Sequence, residues 1–395
     1  MESEWISLMN RLGGAGKAFL AIMDFEMRHP LVIPLSTLDP QKLMFNFRGR
    51  TNIPEDPREY SSNRMPDHIP NPSFISSMDY EAAFRHVQNE QIAGNSVLTN
   101  LTFPSEIHPE GEYLLKERYP MAAAPYRLWA DIRALRSASP GRDELLPDSV
   151  APLPDEILVF SPETFIQTHH GRIYTYPMKG TAAVEPGGDR KLAEAALIAD
   201  EKELAEHTTV VDLLRNDLGR FARDVRVEQF RYVEAIPSAA GTLLQASSRI
   251  SAVLPPDWKT RLGELFAELL PAGSVSGAPK RETCRIIAEA ESLVSHRVPG
   301  AGILPEGRGY YTGVAAVFDG WNLDSAVLIR FIEQRTVDRA SDQGRRWFFR
   351  SGGGITIYSD RDSEYRELMD KVRFPIASGT DDAAPRSAQS AGDQA

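Results

Sequence analysis

Strand-like segments recur along this chain without a helix between each successive pair. Parallel neighbours need a long crossover, usually a helix, so a doubly wound parallel sheet is disfavoured and a mainly antiparallel α+β fold is expected. The strand candidates are residues 18–24, 43–47, 95–102, 156–160, 172–176, 227–233, 243–253, 312–318, 324–332 and 345–350. The 156–160 and 172–176 segments flank His169-His170-Gly171 and suggest a hairpin. Helical spacing falls on 80–93, 263–270, 281–291 and 363–372, and 192–214 reads as one long helix rich in Ala, Glu and Leu. Residues 1–14 read as a loose leader ending in Gly13-Gly14, 15–376 as a single domain, and 377–395 as a disordered tail too small and polar to offset its ordering entropy. The stretches 137–154 and 297–308, rich in Pro, Gly and Arg, read as surface loops.

Charge narrows the range of partners. The net charge of −11 and pI of about 5.4 argue against nucleic acid, whose phosphates need a basic surface. A small anionic substrate remains compatible, because a metal and a few basic residues can reverse the local field. The lone cysteine, Cys284, excludes a disulfide framework and fits a reducing cytoplasm. It sits in a helical stretch with no histidine partner in sequence, which is the setting of a packed thiol more than of a nucleophile. Neither a membrane span nor a secretion signal is legible.

Three features look too costly for plain scaffold. Glu203 with Glu206, and Glu364 with Glu367, are carboxylate pairs at i,i+3 spacing, so each pair shares a helix face. Glutamates on helices are ordinarily just solvated. Two such pairs brought together would nonetheless suit Mg²⁺, a hard cation that takes carboxylates and keeps waters. The segments around Gly273 and Gly277, and Gly352-Gly353-Gly354, let backbone amides approach an anion. The first is no nucleotide-binding loop: three residues, where that signature needs four, separate its glycines, and Lys280 follows Pro279. Lys179, in Tyr176-Pro177-Met178-Lys179-Gly180-Thr181, sits at a strand end before a Gly-Thr turn. Lysines there are usually solvent-exposed, but burial in an apolar or cation-rich site would lower its pKa and make it a nucleophile.

Taken in order, the segments Phe160-Ser161-Pro162-Glu163, Pro177-Met178-Lys179-Gly180-Thr181, Val211-Asp212-Leu213-Leu214-Arg215-Asn216-Asp217-Leu218-Gly219, Pro271-Ala272-Gly273-Ser274-Val275-Ser276-Gly277-Ala278-Pro279-Lys280, Gly309-Tyr310-Tyr311-Thr312-Gly313, Ile329-Arg330 and Glu364-Tyr365-Arg366-Glu367 resemble the chorismate-binding enzymes. That family includes component I of anthranilate and aminodeoxychorismate synthases, isochorismate synthase and salicylate synthase. The resemblance runs from about residue 156 to 374 and implies an anthranilate synthase component I-like fold, two facing, mainly antiparallel sheets with helices outside. It implies Mg²⁺ on Glu206 and Glu367, supported by Glu203 and Glu364. It implies that Arg330, Tyr311 and the amides at Gly353 and Gly354 bind one substrate carboxylate, with Ser274 and Lys371 near the other. Glu163 would be the general acid at ring carbon 4.

Lysine at position 179 resembles the aminodeoxychorismate branch, where relatives acting at carbon 2 carry alanine. The implied reaction turns chorismate and ammonia into 4-amino-4-deoxychorismate for 4-aminobenzoate and folate synthesis, through a covalent Lys179 adduct. A separate glutamine amidotransferase subunit would supply the ammonia. Gln245 stands where many members have histidine; it can donate a hydrogen bond to substrate but cannot titrate. The competing readings are anthranilate or isochorismate synthesis, and a regulatory subunit that binds without reacting.

Overall fold

The strand at Phe19–Met23 is buried on both faces, and its alternation assigns each residue to a layer. Phe19, Ala21 and Met23 join one apolar cluster and Leu20 and Ile22 another. The computed structural model describes residues 3–53, 72–109, 114–121, 124–137, 153–238, 241–294, 307–338 and 343–373. Among these, two antiparallel sheets carry the fold. In the first, Met178–Val184, Gly241–Val253, Arg172–Thr175, Thr164–His169, Leu323–Val327, Val314–Phe318, Phe19–Met23 and Leu31–Pro34 lie side by side, and Arg223–Ser238 pairs with Gly241–Val253. In the second, the order is Gly277–Ala278, Leu98–Ile107, Gln343–Ile355, Phe331–Asp338, Glu156–Ser161, Tyr126–Asp131, Leu43–Phe47 and Arg50–Thr51.

The sheets face each other across a layer in which Leu20, Ile22, Ala315 and Val317 of the first meet Phe45, Leu128, Val159 and Phe331 of the second. Helices cover the outer faces. Glu4–Gly14, Glu201–Phe221 and Leu262–Leu269 lie on the first sheet, and Ser77–Ile92, Lys280–Ser292 and Arg361–Asp370 on the second. The α+β, two-sheet expectation therefore holds.

Several local expectations need correction. Residues 4–14 are a helix, not a loose leader: Trp5, Met9 and Leu12 are buried, and Asn10 Oδ1 accepts from the Gly263 amide at 2.8 Å. Its apolar side chains recur at helical spacing and seal one end of the core, which the short acidic start obscured. The hairpin at His169-His170-Gly171 is built from Thr164–His169 and Arg172–Thr175, while Glu156–Ser161 belongs to the other sheet. The 324–332 candidate is two strands, one in each sheet, joined through Arg330. Arg308, expected on a surface loop, is 1% exposed. The 377–395 tail and most of the 137–154 and 297–308 stretches lie outside the described residues.

The long helix expected over 192–214 is broken into Arg190–Ala199 and Glu201–Phe221. Asp200 is extended and caps the second helix by accepting from the Glu203 amide at 2.9 Å. Arg231, itself buried, donates to the carbonyls of Ile198 and Leu197 at 2.7 and 2.9 Å, meeting the open end of the first. Glu203 and Glu206 consequently stand in the first two turns of a new helix.

Candidate active site

The bulge that presents Lys179 is the local origin of the site. Pairing between Met178–Val184 and Gly241–Val253 runs Met178 to Ser247 and then Thr181 to Gln245, so the register slips at Lys179-Gly180. Lys179 is thus inside a strand, at a β-bulge, and not at the strand end expected from sequence. Gly180 has φ +93°, a conformation that favours glycine, and a Cβ there would press on Glu203 Oε2 at 3.0 Å. Gln245 Nε2 donates to the Gly180 carbonyl at 2.9 Å and is absent from the cavity wall. Gln245 braces the bulge here.

Lys179 Nζ lies 2.7 Å from Glu206 Oε2. Burial acts to lower the Lys179 pKa, but the Glu206 carboxylate, reinforced by Glu367 and Glu203, outweighs it and raises the pKa overall. Burial raises Glu203 and Glu364, while the Lys371 ammonium, 2.6 Å from Glu367 Oε1, outweighs burial and holds Glu367 low. Lys371 Nζ also donates to the Gly352 carbonyl at 2.8 Å. A Cβ on Gly353 would meet Glu364 Oε2 at 3.3 Å and Glu367 Oε1 at 3.6 Å, so the glycine strand runs directly beside this carboxylate pair.

A cavity of about 180 Å³ is lined by Glu163, Lys179, Ser274, Tyr311, Arg330, Gly352–Gly354, Glu367 and Lys371. Ser274 donates to Glu163 Oε1 at 2.5 Å. Burial raises the Glu163 pKa despite that bond and the positive charge of Lys371, which favours the protonated acid. Burial pushes the Tyr311 phenol up to about 12, so it is a neutral donor. Arg330 has φ +52° and Thr312 φ +58°, left-handed conformations uncommon for such residues, both on the cavity wall. The larger cavity, about 540 Å³, is lined chiefly by apolar side chains such as Phe25, Met27, Phe103 and Ile287 and contains none of the predicted site residues.

Of the predicted residues, Lys179, Glu163, Ser274, Tyr311, Arg330, Gly353, Gly354, Lys371 and Glu367 share one wall, and Glu206 joins them through Lys179. Glu203 and Glu364 stand just behind it, against Gly180 and Gly353. Buried support came from residues given no role beforehand: Arg231, Arg308, and the Asp217–Lys280 pair at 2.8 Å beneath Gly273. Burial raises the Cys284 pKa, which disfavours the thiolate.

Magnesium can be tested against this donor set. Glu203 Oε2 is buried without a hydrogen-bond partner, and the carboxylates around Lys179 outnumber the ammonium groups that reach them. No three of the four glutamates bring ligand atoms within 4.8 Å of one another; among the described residues only His86, Glu90 and Glu289 do so, elsewhere. Mg²⁺ retains several waters and commonly binds through one or two carboxylates, so a spread set of carboxylates such as this suits an ion of that kind.

The chorismate binding enzyme family model matches residues 50–377, and the chain belongs to that family. An uncharacterized PabA-like protein of Haemophilus influenzae is 39% identical over 373 residues, covering 94% of this chain and 96% of that one. Aminodeoxychorismate synthase component 1 of Klebsiella aerogenes is 33% identical over 222 residues, 55% of this chain and 43% of that one. Anthranilate synthase component I from Streptococcus pneumoniae superposes with TM-score 0.52 at 25% identity, over 76% of this chain and 57% of that one. The menaquinone-specific isochorismate synthase of Escherichia coli gives TM-score 0.61 at 14% identity, over 93% and 79%, a likeness of fold. No helix among the described residues is long and apolar enough to cross a membrane.

Proposed function

We propose that this protein is an aminodeoxychorismate synthase, exchanging the hydroxyl at ring carbon 4 of chorismate for an amine. The observation that carries the reading is that Lys179 and a protonation-prone Glu163 line the same small cavity. The neutral Lys179 amine attacks carbon 2 as the double bond shifts and the carbon 4 hydroxyl leaves, taking the Glu163 proton as water. Ammonia then adds at carbon 4, the double bond shifts back and the carbon 2–nitrogen bond breaks, freeing Lys179. The pyruvyl group stays in place throughout. Similarity to aminodeoxychorismate synthases supports the assignment.

Arg330 and Tyr311 orient the enolpyruvyl carboxylate. Ser274 steadies Glu163, and Lys371 holds Glu367 beside the glycine strand. When bound, magnesium would neutralise the ring carboxylate and draw electron density from the ring. Engaging Glu206 as a ligand would also weaken the pairing that keeps Lys179 protonated. A separate glutamine amidotransferase in the cytoplasm completes the reading as ammonia source, and the product would feed 4-aminobenzoate and folate synthesis.

The test is incubation with chorismate, magnesium and ammonium, followed by mass analysis of products. The expected product is 4-amino-4-deoxychorismate; anthranilate or isochorismate alone would overturn the assignment.

A further inference from the structure

Arg350 stands out among the buried charges. It lies on Gln343–Ile355 opposite Phe331 of the neighbouring strand, and 5% of it is exposed. Its Nε donates to Glu333 Oε1 at 2.9 Å, while the other Glu333 oxygen takes Arg335 Nη2 at 3.0 Å. The terminal nitrogens Nη1 and Nη2 of Arg350 donate to no described acceptor, yet neither is sealed off from open space. A guanidinium presents five donors, and leaving two of its nitrogens unmet in the interior is costly unless something enters to accept from them.

Two cavities share Arg350 in their walls. In the larger one stand Arg28 and Arg308 beside the Glu26 and Glu291 carboxylates, and Arg308 is already committed to both acids. In the smaller one stand Arg330 and Tyr311, whose phenol has no hydrogen-bond partner among the described residues and whose ring packs at 5.8 Å on that of Phe331. Two guanidinium groups and a phenol therefore line the same cavity, and the phenol feels the charge of both. That set suits a carboxylate, which accepts parallel bonds from a guanidinium fork.

We propose that Arg350 is a further substrate-binding residue, taking the same enolpyruvyl carboxylate as Arg330 and Tyr311 and setting the preference for a substrate with that second carboxylate. The inference rests on the chorismate reading above and adds a residue that the sequence pattern did not single out.

The experiment compares wild type with Arg350→Gln and Arg350→Lys. Chorismate dissociation constants are measured by calorimetry with magnesium and without ammonia, alongside steady-state KM and kcat and thermal unfolding. Arg350→Gln is expected to raise Kd and KM by about tenfold or more, with kcat changed less than about twofold. Arg350→Lys, which keeps the charge beside Glu333 but loses the fork, should recover part of that loss. Unchanged Kd and KM in both variants would overturn the proposal and assign the free nitrogens to ordered water only. If Arg350→Gln does not fold, Arg350→Lys decides: a raised Kd supports the proposal and an unchanged one overturns it. A wild type that does not bind chorismate sinks the functional reading instead, a separate outcome.

Discussion

One helix, Glu201–Phe221, holds two acid–lysine pairs, the first with a half-buried lysine and the second buried throughout, and they behave in opposite ways. Glu206 and Asp217 are about three turns apart on the same face, and each meets a lysine, at 2.7 and 2.8 Å respectively. At Lys179 burial is outweighed by several carboxylates, and the lysine pKa is raised. At Lys280 burial outweighs the single partner Asp217, the lysine pKa is lowered and that of Asp217 raised. Pair distance is thus a poor guide to role. The first region carries surplus negative charge and can accept another cation; the second is balanced, dry and structural, with Lys280 also held by the Leu269 carbonyl at 2.8 Å.

Lys179→Ala should divide the regions most sharply. Amination at carbon 4 is expected to fall on the order of 10⁴-fold, measured by product formation, as for removal of a nucleophile. Retained amination in that variant would remove the covalent step. Lys280→Met should do the reverse, costing about 3–5 kcal/mol in urea unfolding because it strands the Asp217 carboxylate. Adding Asp217→Asn should return much of that loss; a fully additive double variant would contradict the pairing.

Glu206→Gln is expected to raise the magnesium needed for half-maximal activity by about ten- to a hundredfold, measured by titrating the ion into chelator-treated enzyme. An unchanged requirement would place the ion elsewhere. Ser274→Ala should have the smallest effect. The serine hydroxyl favours ionised Glu163, so its loss raises the Glu163 pKa further and keeps the acid protonated to higher pH. The alkaline fall of kcat should then move upward by under about one pH unit, since such a bond is worth about 1 kcal/mol. A downward shift would reverse the assigned direction.

Much of the site was legible because its residues lie in compact, ordered segments that resemble those of the chorismate-binding enzymes. Lys179, Glu163, Ser274, Arg330 and Lys371 all meet around one cavity. The contact of Gln245 to the Gly180 carbonyl was not legible, because bulges leave no mark in periodicity. Arg231 and Arg308 escaped notice because arginine in a strand or a Pro/Gly-rich stretch ordinarily faces water. Their burial follows from carbonyls and carboxylates distant in sequence: Ile198 for Arg231, Glu291 and Val275 for Arg308. The break at Asp200 was hidden by helix-favouring composition on both sides of it.

The sequence by itself determined the antiparallel α+β class and, through ordered segments resembling a known family, which residues gather at the cavity, since strand pattern and motif residues are local properties. Only the tertiary structure decided which lysine stands amid excess carboxylate, which is locked in a balanced pair, and which arginine keeps free donors. Those states depend on burial and on the sum of charges from several elements, and neither is encoded in any one segment of the chain.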